Sequence, residues 1–151
     1  FGVQPGATRP LLVGGGYGVA PLIFLGEKLL RAGQSPQAVV GARTAAELLG
    51  VARFERLGIP VVVTTDEGTA GEQALATGPV ERLLAAGQVD ALYACGPHGL
   101  LHALESLAAR AGVPAQLSWE ARMGCAIGLC GMCEHGDGVL LCLEGPVLAT
   151  G

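Results

Sequence analysis

The sequence predicts an α/β fold: a five-stranded parallel sheet with helices on both faces, followed by a small cysteine-rich lobe. Three observations predict it. Over the first 120 residues, short β-branched or apolar runs alternate with longer stretches of helical period. A glycine-rich loop follows the first such run, at Gly14-Gly15-Gly16-Tyr17-Gly18. Four of the five cysteines fall between Cys125 and Cys142. The expected division is a ligand-binding unit over 1–120 and a lobe over 121–151.

The elements follow in order. The first strand spans Arg9–Val13, and its helix spans Ala20–Ala32 with Leu22, Leu25, Leu29 and Leu30 on one face and Gly33 as the stop. The second strand spans Gln37–Ala42. Thr44 then caps a helix, with Glu47 three residues on in capping-box spacing, and the helix runs toward Leu57 with a break near Gly50. The third strand is Pro60–Thr65, followed by the polar stretch Asp66–Gly71 and a short helix over Pro79–Ala86. The fourth strand is Ala91–Ala94, with a helix over Gly99–Ala111 behind it, and the fifth is Ala115–Trp119. In the lobe, Gly138–Leu143 and Pro146–Ala149 around Glu144-Gly145 read as a β-hairpin that carries Cys142.

Composition excludes several function classes. Half of the 151 residues are hydrophobic and mean hydropathy is +0.49, which excludes intrinsic disorder. No apolar run reaches the roughly 18 residues of a membrane span, and Glu27 and Lys28 close the longest candidate. With net charge −4 and nine Lys and Arg in total, no basic patch is dense enough for nucleic acid. No charged start followed by a cleavable apolar stretch is present, so a cytoplasmic protein is expected. The chain begins with Phe1, which suggests a piece of something longer. Eight Arg to one Lys, with no Asn, suits a GC-rich or heat-adapted source.

Open parallel sheets bind ligands beyond the C-terminal ends of their strands, where the strand order reverses. The loops after strands one, three and four have the unusual chemistry. In the first, Gly14, Gly15, Gly16 and Gly18 let backbone approach a diphosphate, and Pro21 suits the first turn of the helix. A tight turn without ligand is the alternative. No acidic residue ends strand two to hold ribose hydroxyls; Arg43 stands there, where a solvated surface charge is the commoner role. Cys95-Gly96-Pro97 ends strand four. A Cys there is small enough to lie beside a flat ring, although alone it reads first as a buried small hydrophobe.

Cys125-x4-Cys130-x2-Cys133, with Cys142 downstream, matches the order of plant-type 2Fe-2S ferredoxins. Structural zinc more often uses paired C-x2-C knuckles and ranks second; disulfides rank third. His98, His102 and His135 read as surface or helix-cap residues rather than ligands. Trp119 is expected to pack the lobe onto the sheet, and Glu120 to be a surface or capping acid.

Taken together these residues resemble one family. Gly-x-Gly-x-x-Pro at Gly16–Pro21 and Cys95-Gly96-Pro97 are the paired marks of the pyridine-nucleotide module in ferredoxin–NADP reductase-like flavoproteins. Trp119-Glu120-Ala121-Arg122-Met123-Gly124-Cys125-Ala126-Ile127-Gly128-Leu129-Cys130-Gly131-Met132-Cys133 resembles the electron-transfer subunit of class 1B dihydroorotate dehydrogenase, as does Cys142-x-x-Gly145-Pro146-Val147. The likeness covers nearly the whole chain. Two departures stand out: the family's N-terminal FAD-binding barrel is missing, and the gap before the fourth Cys is short.

The resemblance implies an electron relay. A partner subunit would oxidise dihydroorotate with FMN, for pyrimidine biosynthesis, and a 2Fe-2S cluster and FAD would link it to NAD in a hetero-oligomer. It implies Gly14, Gly15, Gly16 and Gly18 against the cofactor diphosphate, beside Pro21. Cys95 and Gly96 would flank the nicotinamide next to Pro97, and Arg43, Thr65 and Asp66 would lie near the adenosine end. Cys125, Cys130, Cys133 and Cys142 would hold the metal, and no separate acid–base residue is implied. Asp66 and Glu67 would repel a 2′-phosphate, favouring NAD over NADP. FAD would be held mostly by the missing barrel. Alternatives are a subunit of another iron–sulfur NAD(P)H reductase, such as a sulfhydrogenase, or a non-catalytic α/β module stapled by zinc.

Overall fold

The computed structural model describes residues 1–136 and 138–150; Asp137 and Gly151, both within the expected lobe, lie outside the described residues. Seven strands form one sheet: β1 (Pro10–Gly15), β2 (Gln37–Ala42), β3 (Val61–Thr65), β4 (Glu72–Gln73), β5 (Ala91–Cys95), β6 (Ala115–Ser118) and β7 (Val147–Thr150). Their spatial order is β4-β3-β2-β1-β5-β6-β7. All neighbours pair in parallel except β6 and β7. The helices are α1 (Val19–Arg31), α2 (Val51–Arg56), α3 (Thr77–Ala85), α4 (His98–Ala111) and the short α5 (Leu141–Glu144).

Period-two alternation divides the strands' side chains between two cores. Leu11, Val13, Val39, Leu92, Ala94 and Leu117 pack with Val80 and Leu84 of α3 and Leu101 and Leu104 of α4. Leu12, Val40, Ala91 and Tyr93 pack on the opposite face with Leu22, Leu25 and Leu29 of α1 and Phe54 of α2. Both faces of the sheet are therefore covered, as parallel sheets require. Each leucine taken fully out of water contributes about 1.5–3 kcal/mol.

The sheet has seven strands rather than five. The two added strands are ones that local pattern does not reveal. β4 is two exposed polar residues, Glu72 and Gln73, paired only to Thr64 and Thr65. β7 overlaps the run Pro146–Ala149 read as half of a hairpin, but its partner is distant. Ser118 pairs with Val147 and Ala115 with Thr150, so β7 covers the otherwise bare edge of β6. The expected hairpin partner instead turns into α5, whose Leu141 is buried in the main core. Only a single bridge, Glu134 to Leu140, precedes it among the described residues. The helix expected from Thr44 to Leu57 is also two pieces. A 3-10 turn spans Ala45–Glu47, and α2 starts after Gly50, whose φ of 75° no continuous helix could contain.

No helix among the described residues is long and apolar enough to cross a membrane.

Asp90 ties the starts of β1 and β5 together. Its carboxylate accepts bonds from the Thr8 N–H, the Thr8 hydroxyl and the Arg9 N–H, each at 2.8 Å. Burial pushes its pKa up, but these bonds outweigh burial and hold it below the ordinary aspartate value. A depressed carboxyl stabilises the fold above its unfolded pKa and loses that contribution as pH falls through the folded one. Asp90→Ala should therefore lower stability at pH 7 by about 1 kcal/mol or more. In urea titrations at stepped pH, the gap from the parent should shrink only as pH falls below the ordinary aspartate range. A gap that stays constant into strong acid would contradict this role.

Candidate functional site

Strand order reverses at β1, which has β2 on one side and β5 on the other. A cavity of about 770 Å³ opens there, beyond the C-terminal ends of the strands. That lies within the range of small-molecule and cofactor sites. One wall is Gly15, Gly16 and Tyr17 of the loop after β1; another is Pro97, Gly99 and Leu100 at the start of α4. Arg43, Glu47 and Asp66 close one end, and Leu75, Ala76 and Thr77 form the remaining side.

Two loops meet to make this shape. A Cβ on Gly18 would run into the Cys95 carbonyl, and one on Gly15 would lie 2.9 Å from Pro97 Cδ. The loops after β1 and β5 thus touch backbone to backbone, which only glycine permits. Gly16 has φ 55° and open space where a Cβ would be, so it is the residue of the loop that turns toward the cavity. The close approach read in the sequence as room for a diphosphate is, at Gly15 and Gly18, room for the neighbouring loop.

The expected residues divide accordingly. Gly15, Gly16, Arg43, Asp66 and Pro97 line the cavity. Gly14, Gly18, Pro21, Thr65, Cys95 and Gly96 are not among its walls. Gly14 sits under Val19. Pro21 lies on the exposed side of α1, and the Thr65 hydroxyl is committed to Ala70, donating to its carbonyl at 2.7 Å and accepting its N–H at 3.0 Å. Cys95 packs in the core beside α1, and burial pushes its thiol pKa up.

Arg43 is not a free cation. Its guanidinium reaches Glu47 at 3.5 Å and Glu67 at 3.8 Å. The Glu47 carboxylate also accepts the Thr44 N–H at 3.2 Å, the back-reaching half of the expected capping box. Sequence reasoning found Glu47 only as a cap and missed its place in the cavity wall. It also missed Tyr17, whose ring is 89% exposed. The available signal was a bulky aromatic placed between two glycines. The Leu75–Thr77 wall carried no local signal, because it comes into place only when α3 packs on the sheet.

The cysteines gather in two pairs. The Cys125 sulfur accepts N–H bonds from Leu129 at 3.2 Å and Cys130 at 3.4 Å, and the Cys130 thiol lies against it. Backbone N–H groups of Ile127, Cys130 and Leu129 lower the Cys125 pKa to about 6. Ala126, at φ 57°, is the one described non-glycine residue with positive φ and makes the turn that aims these groups inward. Cys142 sits on α5 beside the buried Cys133; that neighbour and then burial push its thiol pKa up, and Cys125 is near enough to add to the effect. Among the described residues, no three His, Cys, Asp or Glu side chains are arranged around one metal-ion position.

Trp119 joins this segment to the sheet. Its ring centre lies 4.0 Å from His135, 4.8 Å from His102 and 5.7 Å from His98. All three histidines of the chain therefore surround its single tryptophan, and His98 Nε2 is 2.8 Å from the Glu120 carbonyl.

No family model matches the chain. It is 42% identical over 91% of its length to a probable dihydroorotate dehydrogenase B (NAD(+)) electron transfer subunit from Methanothermobacter thermautotrophicus, covering 51% of that protein. It is 41% identical over 81% of its length to the corresponding subunit from Caldanaerobacter subterraneus subsp. tengcongensis, covering 47%. Its curated homologues are dihydroorotate dehydrogenase B electron transfer subunits. The chain spans about half the length of these relatives. Among solved structures, that of an NADH-dependent reduced ferredoxin-NADP oxidoreductase superposes with TM-score 0.81 at 32% identity, over 94% of this chain and 52% of that one. The C-terminal domain of a Pyrococcus furiosus hydrogenase, PF1911, superposes at 0.60 with 14% identity over 73% of this chain and 90% of that domain, a likeness of fold. The fold is ferredoxin reductase-like.

Two outcomes test the packing of the site. In reduced, metal-free protein at pH 7, iodoacetamide should label Cys125 well ahead of the buried Cys95, read by peptide mass spectrometry. Gly18→Ala, which forces the two loops apart, should expose Cys95 to labelling, whereas Gly16→Ala should leave it protected. Equal protection in both variants would contradict the contact described.

Proposed function

We propose that the chain is the nucleotide- and cluster-binding part of an electron-transfer subunit that links dihydroorotate oxidation to NAD. It would act as an oxidoreductase component in the cytoplasm, in a hetero-oligomer with an FMN-containing catalytic subunit, with FAD held mostly by protein outside this chain. The observation that carries the reading is the joining, through Trp119, of a cavity at the sheet's switch point to a four-thiol segment in one chain. The homologues support it by their names.

NAD is assigned to the cavity. The backbone at Gly15 and Gly16, ahead of α1, offers N–H groups and the positive end of a helix to a diphosphate. Pro97 and Leu100 give a flat apolar wall, and the loops after β2 and β3 would receive the adenosine end. Gly14, Gly18, Pro21, Thr65, Cys95 and Gly96 are assigned a supporting part: they shape the loops that the cofactor would touch.

A 2Fe-2S cluster is assigned to Cys125, Cys130, Cys133 and Cys142. Two sulfur pairs match a group in which each iron takes two thiolates, whereas one zinc ion needs all four sulfurs around one point. N–H groups aimed at Cys125 stabilise the thiolate that such a group requires. When bound, the cluster supplies one-electron transfer, and flavin and nicotinamide supply hydride exchange. The chain's own residues would position these groups; none is assigned proton transfer. Residues 121–151 are proposed as the cluster-binding unit and 1–120 as the nucleotide-binding unit.

Chain purified without oxygen should be brown, with about two irons and two sulfides per chain. Changing Cys125, Cys130, Cys133 or Cys142 to Ser should release them, while Cys95→Ser should keep them. A colourless, zinc-loaded protein would refute the assignment. The 32% identity to the ferredoxin-NADP oxidoreductase favours a second reading, an iron–sulfur NAD(P)H reductase with another partner. Assembly of the complete subunit with a dihydroorotate-oxidising FMN protein separates the two, since only the first reading predicts dihydroorotate-dependent NAD reduction.

A further inference from the structure

The end of the cavity built from the loops after β2 and β3 carries one cation and three carboxylates. Arg43, Glu47 and Asp66 line it, and Glu67 stands behind Arg43. The two loops are fastened to each other. Asp66 N–H donates to the Ala42 carbonyl and Glu67 N–H to the Arg43 carbonyl, both at 3.1 Å, and Ala45 N–H donates to the Thr69 hydroxyl at 2.8 Å. The charges are therefore held on a braced frame rather than on two independent loops.

From this geometry we infer that Glu47 and Glu67 set dinucleotide choice by occupying Arg43. The inference rests on the assignment of NAD to the cavity and names the residues that would exclude its 2′-phosphorylated form. A guanidinium at the end of β2 is the group that would hold a 2′-phosphate, because its planar fork matches phosphate oxygens. Here both neighbours of that fork are carboxylates, at 3.5 Å and 3.8 Å. A 2′-phosphate arriving at Arg43 must displace one of them and then sit beside two or three uncompensated negative charges. A ribose 2′-hydroxyl has no such conflict and can donate to Glu47 or Asp66, the carboxylates that line the cavity. Arg43, which alone would favour the phosphorylated cofactor, is thus turned into the support of an acidic ribose site.

Glu47→Gln and Glu67→Gln remove the charge and keep the shape. The first of these retains a side-chain oxygen for the Thr44 N–H, since glutamine serves at this capping position. The full chain is titrated calorimetrically with NAD+, NADP+ and adenosine 2′,5′-bisphosphate. The parent should bind NAD+ about tenfold tighter than NADP+, since more than one carboxylate stands a few ångströms from the phosphate and each acts through solvent at these exposed positions. The double variant should gain about tenfold for NADP+ and the bisphosphate, with NAD+ changed much less. Arg43→Ala placed on the double variant should remove that gain. A parent that binds both dinucleotides equally, a double variant with unchanged preference, or a gain that survives Arg43→Ala would each overturn the inference while leaving the cavity assignment standing. Binding of neither dinucleotide to the parent would refute the assignment and the inference with it.

Discussion

The contact between the loops after β1 and β5 is the constraint on which the site depends. These strands are adjacent only because the chain leaves β1 in one direction to form β2 and β3, and returns past it to form β5. Their loops must then pass each other at the one place where helices on opposite faces begin. Gly18 lies on the Cys95 carbonyl and Gly15 on Pro97 because nothing larger fits. That closeness buries Cys95, leaves Gly16 facing outward and gives the cavity its floor. Widening the contact by one methyl group would alter the cavity and the core beneath it together.

A second dependence concerns the cysteine segment. Among the described residues its only regular structure is the short α5 and the edge strand β7, so little local structure holds it. It is attached by burial instead. Cys133, Leu141 and Trp119 belong to the same core as α3 and α4, and β7 completes the sheet edge. The sulfurs are thus placed by tertiary packing, with backbone N–H groups supplying the local electrostatics at Cys125. His98 and His102 of α4 and His135 of this segment meet around Trp119.

Much of this was legible in the sequence where the signal is local. β2 spans Gln37–Ala42 as read, and the strand–helix alternation and two covered faces follow from periodicity. What escaped was non-local. Val147–Thr150 has the composition of a strand, but nothing near it says that Ala115–Ser118 is its partner. Glu72-Gln73 is too short and too polar to show a period. In the glycine loop, Gly14, Gly15 and Gly18 each answer to neighbouring protein, and Gly16 alone of the four faces open space. Arg43 looked like a lone charge although Glu47 lies four residues on; its second partner, Glu67, reaches it only when β2 and β3 lie side by side. The Leu75–Thr77 wall belongs to the cavity by position in space alone.

The central claim is that the switch-point cavity is where the dinucleotide binds. Its most direct test is backbone NMR of isotope-labelled chain titrated with NAD+. The account predicts saturable shifts confined to Gly15, Gly16, Tyr17, Arg43, Asp66 and Gly99, with the β6–β7 edge unmoved. Saturable shifts centred on the cysteine segment or that edge, or no shifts at millimolar NAD+, would contradict it.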